Sequence, residues 1–208
     1  LMHDSVSASN VRLNRTQVQI VRGDTYRLYV KGTTAKVKWY SSNAKIATVS
    51  NGKVTAKKKG TAVIYAKVNG KKYACKVTVV TQQRAYIDTL QRQINIQRRR
   101  YGFNSYDRNP LLQQAAQKRA KELAEKFSHA RPNGYSWASA ISMRYNFKKA
   151  SELTARYYTD PQEVVDAWMS RASTKAKIIS KRYNEIGVGV YLDEDGFLYY
   201  AVIVAVRK

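Results

Sequence analysis

The hydrophobic period of the chain changes near residue 82, and a single layer of secondary structure cannot serve both patterns. In Thr25-Tyr26-Arg27-Leu28-Tyr29-Val30, Lys36-Val37-Lys38-Trp39-Tyr40 and Thr61-Ala62-Val63-Ile64-Tyr65-Ala66, β-branched and aromatic residues alternate with polar ones. A period of two places one set on each face of a strand. Turn signals separate these runs, at Arg22-Gly23-Asp24, Lys31-Gly32, Ser50-Asn51-Gly52, Lys59-Gly60 and Asn69-Gly70. Val68-Asn69-Gly70-Lys71 predicts a tight hairpin, because Asn-Gly tolerates the positive φ angles such a turn needs. Short strands at this spacing predict a β-sandwich.

Beyond residue 82 the spacing becomes helical. Ile87, Leu90, Ile94 and Ile96 recur up to Tyr101-Gly102. Asn109-Pro110 opens a second helix, with proline where its missing N–H costs nothing. Its buried stripe is Leu112, Ala115, Ala116, Arg119, Leu123 and Phe127, with Glu122 and Lys126 paired outside. Asp160-Pro161-Gln162-Glu163 starts a third helix as a capping box, and that helix buries Val164, Val165 and Trp168. Two strands, 186–192 and 197–206, close the chain around Asp193-Glu194-Asp195-Gly196. Helices first and an antiparallel pair last predict an α/β or α+β half. The expected domains are residues 1–81 and 82–208, joined at Thr81-Gln82-Gln83-Arg84 without Gly or Pro.

Charge bounds the partners. Lysine and arginine number 38 against 14 acids, for a net charge of +24. Residues 1–81 carry 16 basic and 2 acidic residues, and residues 82–208 carry 22 and 12. Such an excess favours polyanions through long-range attraction and counterion release. Teichoic acid and peptidoglycan of a Gram-positive wall, anionic lipid and nucleic acid all fit that description. Nucleic acid is the least favoured, because no helix-turn-helix, zinc-finger or RNA-recognition signature is present. Arg98-Arg99-Arg100 and Lys57-Lys58-Lys59 read as solvated ends of a helix and a strand. Cys75 is the only cysteine and falls in an alternating run as a small buried hydrophobe, so the chain has no intrachain disulfide. No apolar run reaches the length of a membrane span. Of the two histidines, His3 lies at the terminus and His129 in the loop after the second helix.

Trp39, Ser41-Ser42-Asn43, Ile46-Ala47-Thr48-Val49, Asn51-Gly52-Lys53-Val54 and Lys59-Gly60-Thr61-Ala62 closely resemble bacterial Ig-like domains of group 2, over about residues 9–80. The resemblance implies an all-β Ig-like sandwich acting as a spacer or adhesive module, with no chemistry of its own. Asn109-Pro110-Leu111-Leu112, Ala115-Ala116-Gln117-Lys118-Arg119-Ala120, Phe127-Ser128-His129, Trp137, Pro161 to Met169 and Glu185-Ile186-Gly187-Val188-Gly189-Val190 resemble the bacterial branch of the CAP superfamily, over residues 85–208. This second resemblance implies an α/β/α sandwich with a cleft of histidines and glutamates, which in some members holds a divalent metal.

Carried over residue by residue, the family's first cleft histidine falls on His129 and a cleft glutamate on Glu152, in Ser151-Glu152-Leu153. The second histidine position holds Thr174, followed by Lys175. The implied binding cleft is thus His129, Glu152, Thr174, Lys175 and Trp137. Zinc wants about three nitrogen, sulfur or carboxylate ligands, and His129 with Glu152 supplies two. We therefore expect no metal and no cofactor. A hydrolase would need a nucleophile beside His129 and Glu152, and Ser128, Ser139 and Ser151 are candidates that no strained Gly-x-Ser-x-Gly turn marks. The expected function is a secreted or wall-associated, non-enzymatic binding protein for an anionic envelope polymer or other extracellular ligand. The alternative is a divergent CAP hydrolase of peptide or peptidoglycan acting through His129 and Glu152.

Overall fold

The structure, a computed structural model, describes residues 10–208; His3 lies outside them. The chain divides into two compact units, one ending at Gln82 and one running from Gln83 to Lys208.

The first unit holds strands β1 (Arg12–Leu13), β2 (Gln17–Val21), β3 (Thr25–Arg27), β4 (Val30–Lys31), β5 (Lys38–Ser41), β6 (Ala47–Ser50), β7 (Lys53–Ala56), β8 (Gly60–Val68) and β9 (Lys71–Val80). They form a four-stranded sheet in the order β2-β9-β8-β5, a three-stranded sheet β3-β7-β6 and the pair β1-β4. Alternation along β8 and β9 sends Ala62, Ile64, Ala66, Cys75, Val77 and Val79 into one core with Leu28, Ala47 and Val54. Burial pushes the Cys75 thiol up. Asn69 and Gly70 take φ of 48° and 78° in the β8-β9 hairpin, as a primed turn requires.

The run 25–30 is not one strand. Leu28 is buried and its N–H donates to Gly52 O, while the Tyr29 N–H donates to the Asn14 side chain. β3 therefore pairs with β7, and β4, after this break, pairs with β1.

The second unit contains α1 (Gln82–Arg100), β10 (Asp107–Arg108), α2 (Pro110–Glu125), a short 3-10 helix (Trp137–Ala140), β11 (Phe147–Arg156), α3 (Pro161–Met169), α4 (Ala172–Ile178), β12 (Glu185–Leu192) and β13 (Leu198–Arg207). The sheet runs β10-β12-β13-β11, parallel only between β10 and β12. One apolar cluster joins α1 and α3 to Leu153, Ile186, Val188, Tyr200 and Val202. The opposite phase of β13, through Ile203 and Ala205, packs with Leu112, Ala115 and Ala116 of α2.

Helix α2 lies directly on β12. A Cβ on Gly187 would stand 2.1 Å from the Leu112 carbonyl, and one on Gly189 2.1 Å from the Ala116 carbonyl oxygen. The exposed edge of β12 is closed by glutamine side chains of the same helix. The Gln117 amide donates to Val190 O at 2.9 Å and accepts from Val190 N at 3.2 Å. Gln113 makes the equivalent pair with Val188. Asn109 caps α2 by accepting from Leu111 N and also donates to Glu185.

Three expected positions differ, one of them Glu122, which pairs with Arg119 and Arg131 and not with Lys126. Arg98 is not solvated: its guanidinium lies 3.5 Å from the Tyr106 ring centroid and donates to Asn104 O, Ile178 O and Ser180 O. These carbonyls replace water around the charge, and burial pushes the Tyr106 hydroxyl up to about 12. Phe127, past the end of α2, is exposed instead of buried.

Candidate functional site

Strand β11 is an edge strand, and its outward carbonyls need partners. Trp168 Nε1 of α3 donates to Thr154 O at 3.0 Å, and Lys177 Nζ of α4 donates to Glu152 O at 2.9 Å. Closing the edge in this way brings α3 and α4 against β11 and leaves a hollow of about 330 Å³ beside it. His129, Glu152, Trp168, Arg171, Thr174 and Lys177 line this hollow, together with Phe127, Arg156 and Tyr158.

Glu152 is the pivot. Its side chain is fully buried, as is that of Arg119. Arg119 Nε donates to Glu152 Oε1 at 2.7 Å, and His129 Nδ1 lies 2.8 Å from Glu152 Oε2. A carboxylate between a guanidinium and an imidazole accepts from both, so Nδ1 carries its proton and the other ring nitrogen faces outward on a half-exposed side chain.

Arg119 directs its other two nitrogens to Glu122 Oε2 at 2.8 Å and Ser128 O at 2.7 Å, which fixes the loop carrying His129. Arg131 then grips Glu122 through Nε and NH2, the latter at 2.7 Å, and reaches Ser139 Oγ. Burial opposes the Arg119 charge, yet Glu152 and Glu122 more than reverse this and raise its pKa. Burial likewise acts to raise the Glu122 carboxyl, but Arg131 and Arg119 hold it below its ordinary value.

The structure thus brings His129, Glu152 and Thr174 together in the hollow; Trp137 reaches His129 only through its backbone N–H, which donates to His129 O at 2.9 Å, and Lys175 lies apart. Trp137 packs with the Leu112 and Ile141 cluster, and Lys175 carries its ammonium 4.7 Å from the Tyr101 ring centroid. Neither is among the residues lining the hollow. The cation there is Lys177, with Arg156 and Arg171.

The donor set does not suit a divalent metal. Both Glu152 oxygens are engaged, and the Thr174 hydroxyl donates to Trp168 O at 2.6 Å. That leaves one imidazole nitrogen among three cations. No group of three His, Cys, Asp or Glu that could hold a metal occurs among the described residues.

Among the described residues no serine hydroxyl is hydrogen-bonded to the His129 ring. Ser128 Oγ accepts from Ala130 N, and Ser139 Oγ donates to Ser136 O. Ser151 precedes Glu152 on β11 and therefore points to the other face.

Arg119 is the residue that periodicity alone assigns to the apolar stripe. An arginine amid Leu112, Ala115, Ala116, Ala120 and Leu123 is itself a signal, because a buried charge requires a carboxylate partner.

This sheet, its flanking helices and the Arg119–Glu152–His129 cluster define the class. The chain belongs to the cysteine-rich secretory protein (CAP) family, whose model matches residues 91–205, and a bacterial Ig-like domain of group 2 precedes it at residues 7–79. Among particular proteins, the chain is 28% identical over 98 residues to the uncharacterized protein YkwD of Bacillus subtilis. That match covers 46% of this chain and 38% of the relative, so the chain spans well under half of its length.

Two solved structures share the fold. An outer surface protein of Borrelia burgdorferi has a TM-score of 0.54 at 23% identity, over 60% of this chain and 94% of that one. An extracellular protein containing an SCP domain from Bacillus anthracis has a TM-score of 0.53 at 18% identity, over 65% of this chain and 46% of that one.

Proposed function

We propose that this chain is an extracellular or wall-associated binding protein, non-enzymatic, whose CAP cleft takes no metal and whose ligands are anionic envelope polymers. In this reading residues 82–208 form an α/β/α sandwich and residues 1–81 an Ig-like sandwich that serves as spacer or adhesive module. One observation carries it: Glu152, which a metal centre would need free, is held at both oxygens by Arg119 and His129, and among the described residues no serine hydroxyl is hydrogen-bonded to the imidazole that Glu152 orients. A buried carboxylate so engaged positions its neighbours and does not ligate a metal without losing a charged hydrogen bond.

The ligand class follows from charge. Around the hollow, Arg156, Arg171 and Lys177 face a single carboxylate that Arg119 already neutralises. Arg156 stacks on Phe127 at 4.4 Å and Tyr157 at 4.8 Å, which holds its charge outward. The relatives described as outer-surface and extracellular agree with a location outside the cell.

Co-sedimentation with purified Gram-positive wall tests the reading. We expect saturable binding that weakens as salt rises, with no soluble peptide or glycan released. Release of fragments, abolished by Glu152→Gln, or failure to sediment at low salt, would overturn it.

A further inference from the structure

Three lysines stand directly opposite one another across three adjacent strands of the first unit. Lys38 of β5 pairs with Lys67 of β8, and Lys67 pairs with Lys72 of β9. Partners in such rows lie on the same face with Cβ atoms about 5 Å apart, and like charges placed this way destabilise a sheet. All three are exposed, and Lys76, two residues along β9 from Ala74, continues the same face.

Among the described residues of the unit, no carboxylate offsets the repulsion. Its one acid among residues 10–81 is Asp24, at the turn into β3 of the other sheet, and among the described residues no salt bridge forms in this unit. Beside the row, Tyr40 and Tyr65 stack at 5.0 Å between centroids, and the Lys72 ammonium lies 5.7 Å and 5.0 Å from their rings. A fold that keeps a row of cations without an anionic partner on an exposed face is complementary to a polymer that brings anions at matching intervals.

We infer that the outward face of sheet β2-β9-β8-β5, centred on Lys38, Lys67 and Lys72, docks a flexible polyol phosphate chain of the teichoic-acid type. This rests on the anionic-polymer reading above and moves its main contact from the CAP cleft to the Ig-like unit. Neighbouring strands are about 4.8 Å apart, so the row presents three ammonium groups within about 10 Å, a span that successive phosphates of a flexible chain can follow. The tyrosine hydroxyls add hydrogen bonds. Nucleic acid fits less well, because Tyr40 and Tyr65 stack on each other beneath Lys72 instead of offering ring faces to bases.

The test titrates the full chain with poly(glycerol phosphate), using two variants of equal charge. In Lys38→Gln/Lys67→Gln/Lys72→Gln, affinity should fall at least about tenfold and the salt slope by roughly two, at about 0.7 per contact for a flexible chain. The melting temperature should stay level or rise, since repulsion is relieved. In Lys57→Gln/Lys58→Gln/Lys59→Gln, on the loop before β8, affinity should fall by less than about threefold. Equal losses in both variants, no loss in the first, or tighter binding of a single-stranded oligonucleotide by the wild type would overturn the proposal. If the wild type sediments with whole wall yet ignores poly(glycerol phosphate), this surface fails while the wider function stands. Failure to sediment with wall at all removes both.

Discussion

Glu152→Gln keeps the side chain's shape and removes its charge, which leaves the fully buried Arg119 guanidinium without its main counter-ion. Breaking a buried pair from one side costs about 3–5 kcal/mol, whereas replacing both partners with apolar residues is often nearly neutral. Urea denaturation should therefore show Glu152→Gln clearly less stable than the double variant Arg119→Met/Glu152→Met; a loss below about 1 kcal/mol in the single variant would contradict the pivotal role. Glu122 supplies a pH dependence. Its folded carboxyl lies below its ordinary value, so its contribution is complete above the unfolded pKa and is lost as pH falls through the folded one. Glu122→Gln should lower stability at neutral pH and flatten the loss of stability across the carboxylate range, measured by thermal unfolding at stepped pH. At this scale His129 and Glu152 were legible through the family motif. Arg119 was not, because a helical stripe is read by period and an arginine stem satisfies the period while its charged end requires a partner two elements away.

At the scale of elements, Gly187 and Gly189 set how closely α2 approaches β12. Alanine at either position puts a methyl carbon 2.1 Å from helix backbone, where no flexible side chain can yield. Gly187→Ala or Gly189→Ala should cost about 3 kcal/mol or more by chemical denaturation, well beyond an ordinary surface change. The long elements were legible from period and caps: Asp160 accepts from Gln162 N and Asn109 from Leu111 N, as their positions before Pro161 and Pro110 imply. β11 and α4 were not. Phe-Lys-Lys-Ala-Ser-Glu-Leu-Thr-Ala-Arg buries Glu152 on one face and Leu153 and Ala155 on the other, so neither alternation nor an apolar stripe appears. α4, with seven residues and no side-chain cap at Arg171, is fixed by its contacts with α3 and β11 and not by its own signals.

For the whole molecule, the change of period near residue 82 separates a unit built on alternation from one built on helices over a mixed sheet, and the two units meet at Gln82 and Gln83. No helix among the described residues is long and apolar enough to cross a membrane. The net charge of +24 is shared by both halves of the sequence, and in the proposed reading the lysine row and the hollow are the places where that charge would meet a polyanion. What remains of the cleft decides the rest, and calorimetric titration of the full chain with zinc reads it most directly. The account predicts no saturable binding at micromolar zinc, because Glu152 is engaged by Arg119 and His129 and Thr174 donates its hydroxyl to Trp168. Micromolar or tighter affinity, abolished by His129→Ala, would contradict it.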